Sequence, residues 1–151
     1  MRRSTKIWLV VAIALILIGV MTIESVMIAL HWDLEKLSTN KYETNEYAID
    51  EDYSNISIVT DTADVVLVPS KDGRTTVVCY EQEKERHSVA VMDGTLTIEL
   101  SETKRWYDHI GINFGTPNIT IYVPEGEYGT LSIKSSTGDV VIPKDFKFES
   151  L

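Results

Sequence analysis

The sequence predicts an all-β, solenoid-like domain carried behind a single transmembrane helix. Three observations predict it: an uncharged apolar run near the N-terminus, a change of hydrophobic period after it, and an internal repeat further along. The chain has 151 residues, of which 44% are hydrophobic and 25% charged, a length that suits one folded domain. Its formal net charge of -9 is unevenly placed. Residues 1–32 hold Arg2, Arg3 and Lys6 against Glu24, a net of +2, so -11 falls on the remainder. A surface that acidic repels phosphate backbones, and nucleic acid is not an expected partner.

From Ile7 to Ile23 there is no charged residue, and apolar character resumes from Val26 to Leu30. A helix rising about 1.5 Å per residue needs roughly 20 such residues to cross about 30 Å of hydrocarbon. Residues 7–32 are therefore read as the membrane span, in contact with the bilayer. Glu24 lies near the far end, where its carboxylate reaches toward the headgroups. Trp8 and Trp32 bracket the span at the two interfaces, and Arg2, Arg3 and Lys6 precede it as a basic tail, residues 1–6. By the positive-inside rule the N-terminus is cytoplasmic and everything after Trp32 is outside. A cleaved signal peptide shares the basic start, but no A-x-A pattern follows the apolar core and the run is long for one. A buried core helix would accommodate Glu24 poorly without a partner.

Residues 33–46 are polar and read as a stalk after a short helical continuation, with the β domain spanning residues 47–151. Within it Ile56-Ser57-Ile58, Thr95 to Leu100 and Asn118 to Val123 alternate apolar with polar residues, as half-buried strands do. Asp93-Gly94, between Val89–Met92 and Thr95–Leu100, is a two-residue hairpin signal in this meander. Gly115-Thr116-Pro117 and Pro124-Glu125-Gly126 punctuate the later strands. Cys79, the only cysteine, forms no intramolecular disulfide and reads as a small buried strand residue.

The repeat refines the architecture. Tyr53 to Val68 aligns without gaps on Tyr128 to Pro143, sharing seven identities: Tyr, Ser, Ile, Thr, Asp, Val and Val. Each copy is a strand, a Thr-[Ala/Gly]-Asp turn and a second strand. Phe148-Glu149-Ser150-Leu151 echoes Tyr128 to Leu131 twenty residues earlier, about one rung of a solenoid. The expectation is an incomplete solenoid at the C-terminus, or an open edge there that a partner completes by β-augmentation.

These residues, apolar-Ser-Ile followed by Thr-Gly-Asp-Val-Val-Ile, resemble the bacterial adhesin-like domains of unknown function. Among them are proteins similar to LiaG, a membrane-anchored member of cell-envelope stress operons. The resemblance spans roughly Tyr47 to Leu151, including Asp64 to Pro69 and Gly94 to Ile98. It implies a right-handed parallel β-helix or β-roll displayed on the outer face, with no established activity and no catalytic residues to carry over.

Candidate sites are sparse. Trp106, Tyr107, Asp108 and His109 sit in the loop between Leu100 and Ile110, where aromatic rings stack on sugars or anchor a protein partner, or else plug the end of the sheet. Asp64 and Asp139 hold equivalent repeat positions; a carboxylate ladder for acid/base work or Ca²⁺ is the sharp reading, and a turn-bonding aspartate the bland one that prevails. His31, His87 and His109 lack metal-ligand spacing, and the usual hydrolase, NTPase and dinucleotide motifs are absent. Glu81 to Arg86 reads as a solvated hairpin tip, and Asp50-Glu51-Asp52 as a solvated link. No catalytic residue, metal ligand or cofactor is assigned. The expected function is non-enzymatic: an extracytoplasmic, adhesin-like interaction domain with an envelope protein or cell-wall glycan as partner, in adhesion or envelope stress. The alternative is a carbohydrate-active β-helix enzyme using carboxylates on one face.

Overall fold

The structure, a computed structural model, describes residues 3–102 and 115–151, in two units, 1–38 and 39–151. The first is built on helix α1, Arg3–Ala29. Its stretch Ser4–Ala29 is long and apolar enough to cross a membrane. The hydroxyls inside it are absorbed by the helix itself: Thr22 donates to the carbonyls of Ile18 and Gly19, and Ser25 to that of Met21. The helix stops before Trp32 because the backbone turns left-handed at His31 and Trp32, with φ of 55° and 60°. The Trp32 N–H then reaches back to Met27 O and the His31 N–H to Ile28 O, closing the last free carbonyls. One 3₁₀ turn, Leu34–Leu37, follows.

Among the described residues the second unit holds ten strands: β1 (Tyr42–Ile49), β2 (Asn55–Val59), β3 (Asp64–Pro69), β4 (Thr75–Gln82), β5 (Glu85–Met92), β6 (Thr95–Glu102), β7 (Asn118–Val123), β8 (Glu127–Lys134), β9 (Val140–Val141) and β10 (Lys147–Ser150). They form one sheet in the order β10-β8-β2-β6-β5-β4-β7-β3-β9, with β1 added along β4. Residues 42–46, expected in the stalk, are the first part of β1. That strand pairs antiparallel with β4 from Tyr42↔Gln82 to Ile49↔Thr75.

The sheet combines two pairing modes. β4, β5 and β6 form the expected antiparallel meander, and Asp93 and Gly94 make its hairpin with φ of 49° and 71°. Around it the chain coils in parallel: β2 lies between β6 and β8, and β3 between β7 and β9. The repeat is thus a stacking register, with Ser57 on Ser132, Ile58 on Ile133 and Val65 on Val140. Phe148 pairs with Tyr128 in the same sense. β4 holds β7 along Thr76–Tyr80 but β5 only at Gln82, so the sheet curls at that point.

Curling brings the apolar rows of both sides into one core. Ile56 and Ile58, Val65 and Leu67, Leu96 and Ile98, and Ile119, Ile121 and Val123 are each 1% exposed or less. Alternation supplies this because every second side chain of a strand points inward. Outside that row, Tyr53 stacks on Tyr128 at 6.1 Å between ring centres, and Tyr128 meets Phe148 at 5.9 Å. The aromatic repeat position is therefore a ladder running coil to coil.

The corner between the paired strands gives the side chain of one of the two repeated aspartates, Asp64, its partner. Asp64 Oδ1 accepts the Asp139 N–H at 2.9 Å, and the Val65 N–H donates to Asp139 O at 2.8 Å. The Asp64 side chain thus bonds the backbone of the neighbouring coil. Asn55 does the same, its Oδ1 accepting the Thr130 N–H at 2.8 Å. Gly138 replaces the Ala63 of the other copy because a Cβ there would overlap the Ala63 carbonyl oxygen.

Candidate functional site

Two features stand out from this frame, one inside the sheet and one on its outer face. The inner one begins with β4, whose inward row is Thr75, Val77, Cys79 and Glu81. Glu81 is fully buried, which corrects its placement in a solvated hairpin tip. A buried carboxylate must be paired, and this one is. Its Oε2 accepts the His87 backbone N–H at 2.6 Å and lies 2.7 Å from His87 Nδ1; its Oε1 accepts Asn45 Nδ2 at 2.8 Å. His87 Nε2 stands 3.0 Å from Thr60 Oγ1, and the Tyr47 hydroxyl donates to His87 O at 3.3 Å. Asn45 also donates to Glu43 Oε1 at 3.0 Å, and the Arg86 guanidinium pairs with that oxygen at 2.5 Å. Burial pushes the Glu81 carboxyl up, but the hydrogen bonds from His87 and Asn45, aided by the His87 charge, outweigh it and hold the group below its ordinary value.

Carboxylate, imidazole and hydroxyl stand here in the order that activates a nucleophile. The arrangement is closed, however. Thr60 is 7% exposed and His87 4%, and the space beside them measures about 10 Å³, room for one water. Among the described residues, every buried side-chain nitrogen and oxygen has a hydrogen-bond partner. The chemistry this cluster performs in that state is cohesion, tying β1, β4, β5 and the corner after β2 together. Cys79 lies next to it, its thiol pushed up to about 12 by burial and by Glu81.

The second feature lies on the outward rows of β1, β4, β7 and β3. Register places Glu46 beside Val78, Val78 beside Thr120, Thr76 beside Tyr122, and Tyr122 beside Val68. A concavity of about 630 Å³ covers Val68, Thr76, Val78 and Tyr122, with Glu46, Lys71 and Asp72 among its polar lining. Its rim is fixed: Asp72 Oδ1 accepts the Ser70 hydroxyl at 2.7 Å and the Arg74 N–H at 3.1 Å, and Gly73 supplies a φ of 72°. The Ser70 and Arg74 hydrogen bonds hold the Asp72 carboxyl below its ordinary value. An exposed tyrosine among valines, ringed by charges, suits a ligand with apolar and hydroxylated faces.

Of the residues singled out from the sequence, Trp106, Tyr107, Asp108, His109 and Arg2 lie outside the described residues. Arg3 and Lys6 are in the first turns of α1, and Trp8 and Trp32 are exposed at its two ends. Neither the buried cluster nor the outer concavity was found from the sequence. The only available signal for the first was that Cys79 and Glu81 are two apart on one strand and His87 follows across a hairpin.

Residues 53–151 match the family model Toastrack DUF4097. Among solved structures, a protein from Bacteroides fragilis described as a candidate adhesin is 28% identical with a TM-score of 0.50, over 69% of this chain and 44% of that one. A candidate lipid-binding protein from Parabacteroides distasonis is 21% identical with a TM-score of 0.41, over 64% and 41%. A candidate adhesin from Parabacteroides merdae is 13% identical with a TM-score of 0.41, over 63% and 44%. The chain thus spans less than half the length of each structure it matches. The comparison with curated proteins returns no match.

Proposed function

The chain belongs to the Toastrack DUF4097 family, and from that premise we propose a non-enzymatic, membrane-anchored interaction protein that holds its β domain outside the cell. α1 is the anchor, its N-terminus cytoplasmic by the balance of Arg2, Arg3 and Lys6 against the acidic remainder. The coils are read as right-handed, the hand that parallel crossovers adopt. They serve as a stiff scaffold whose outer face makes contact.

One observation carries this reading: the roomy concavity lies on the outer sheet face, at Val68, Val78 and Tyr122, while the triad-like cluster is sealed. The Bacteroides neighbour described as a candidate adhesin supports it. The partner proposed is cell-wall glycan, with an envelope protein as the other reading. A polyanion is disfavoured by a charge of -11 beyond residue 32. Tyr122 offers a ring face for stacking, and Glu46, Lys71 and Asp72 offer hydrogen bonds to hydroxyls. An envelope-stress role, as the likeness to LiaG implies, follows if glycan contact reports the state of the wall.

The test is co-sedimentation of the full chain, in detergent, with isolated cell-wall sacculi. Wild-type protein should pellet with the wall, and Tyr122→Ala should shift most of it to the supernatant. Equal pelleting of the two, or none by the wild type, would remove glycan binding through this face. Release of soluble sugars during incubation would favour the carbohydrate-active alternative instead.

A further inference from the structure

Among the described residues, Cys79, Glu81 and His87 are buried together in the β domain, at 0%, 0% and 4% exposed. One ligating atom from each, the Cys79 sulfur, a Glu81 carboxylate oxygen and a His87 ring nitrogen, lies within 4.8 Å of the others. We propose that these three side chains bind a divalent transition-metal ion of the Zn²⁺ type inside the β domain.

Donor chemistry is the first argument. Thiolate, imidazole and carboxylate together are the ligand set of a borderline-soft ion, and hard cations such as Mg²⁺ or Ca²⁺ would take oxygens instead. The second argument is what stands behind the ligands. His87 Nδ1 and Glu81 Oε2 face each other at 2.7 Å, and their far atoms are already tethered, Nε2 to Thr60 Oγ1 and Oε1 to Asn45 Nδ2. Outer hydrogen bonds of this kind orient metal ligands before the ion arrives. Charge is the third: one thiolate and one carboxylate neutralise the ion's two positive charges, so the core gains no net charge.

The ion takes the place of the proton between His87 and Glu81. Two ligands each about 2.0–2.1 Å from a tetrahedral ion are about 3.3 Å apart, so the 2.7 Å gap between Nδ1 and Oε2 opens by about 0.6 Å. The Cys79 thiol and the Nδ1–H shared with Glu81 both release their protons to solvent, and the neutral imidazole keeps its single proton on Nε2, donated to Thr60 Oγ1. A water completes the tetrahedron, as in other three-ligand sites.

Co²⁺ alone, titrated into the metal-stripped full chain in detergent, is the probe. One equivalent should bind with the near-ultraviolet absorption of a thiolate-to-cobalt bond, and Zn²⁺ should displace it. Cys79→Ser, which keeps the size of the side chain, should lose that absorption while retaining the wild-type circular dichroism. Asn45→Ala, which leaves all three ligands in place, should weaken Co²⁺ binding about 10–100-fold. Binding without the thiolate absorption, binding that Cys79→Ser leaves unchanged, or no binding to a folded wild-type chain would each overturn the proposal.

Discussion

Gly138→Ala tests the coil-on-coil stacking most sharply. A Cβ at this position overlaps the Ala63 carbonyl oxygen, comes within 2.6 Å of the Ala63 carbonyl carbon and 3.0 Å of Ser135 Oγ. The obstacle is backbone of the adjacent coil, so no side-chain rotation relieves it. Overpacking of this kind costs about 1–3 kcal/mol. Moving the corner also strains the Asp139 N–H to Asp64 and Val65 N–H to Asp139 hydrogen bonds, each contributing about 0.5–1.5 kcal/mol. The sum is about 2–6 kcal/mol. With a urea dependence of about 2 kcal/mol per molar for a domain of this size, the unfolding midpoint should fall by about 1–3 M. Gly126→Ala is the control, because its Cβ meets nothing nearer than a Tyr128 ring carbon at 3.9 Å. It should be neutral or stabilising by about 0.4–1 kcal/mol through the unfolded chain. Equal midpoints for Gly138→Ala and wild type would refute the stacking of the repeat copies on each other.

Further outcomes follow from the same contacts. Glu81→Ala strands the backbone N–H and Nδ1 of His87 in the core, takes one of the two acceptors of Asn45 Nδ2, and should cost about 3–5 kcal/mol in urea unfolding. Because the Glu81 carboxyl sits below its ordinary 4.5, its stabilisation is fully present above that pH and is lost as pH falls through the lower folded value. Urea midpoints measured down that range should decline for the wild type and more shallowly for Glu81→Gln. Tyr128→Ala removes the middle ring of the ladder and should cost about 2–4 kcal/mol. Burial and the neighbouring Tyr53 push the Tyr128 hydroxyl up to about 12, so its share of stability is complete below pH 10 and vanishes above about 12. Ultraviolet titration of the tyrosines should show a late step that Tyr128→Phe removes.

The sequence made some of this visible and concealed the rest for identifiable reasons. The apolar run of α1, the hairpin at Asp93-Gly94 and the equivalence of Tyr53 and Tyr128 were legible because each has a local signature: continuous apolarity, a left-handed pair, or an ungapped repeat. β6 and β7 are also a coil of the solenoid, pairing Leu96 with Ile56 and Ile119 with Val65. Residues 103–117 between them broke the spacing and hid the copy. The first part of β1, residues 42–46, reads as stalk because its inward residues include Glu43 and Asn45 rather than aliphatics. Those polar groups face inward to serve Arg86 and Glu81. Glu81 itself was misplaced for the same reason: charge in a short polar run signals solvent until a histidine across the hairpin supplies a partner. The outer concavity depends on four strands brought side by side, which no single stretch of sequence records.

Photo-crosslinking in living cells tests the central claim, that the outer face of β4, β7 and β3 is the contact surface, most directly. A benzophenone amino acid placed at Val78 or Tyr122 samples that face, and one at Ser88, exposed on β5, samples a different strand. The account predicts a covalent adduct with cell-wall material at Val78 and Tyr122 and little at Ser88. Adducts at Ser88 alone, or none at Val78 and Tyr122 while the protein is present and folded, would contradict it.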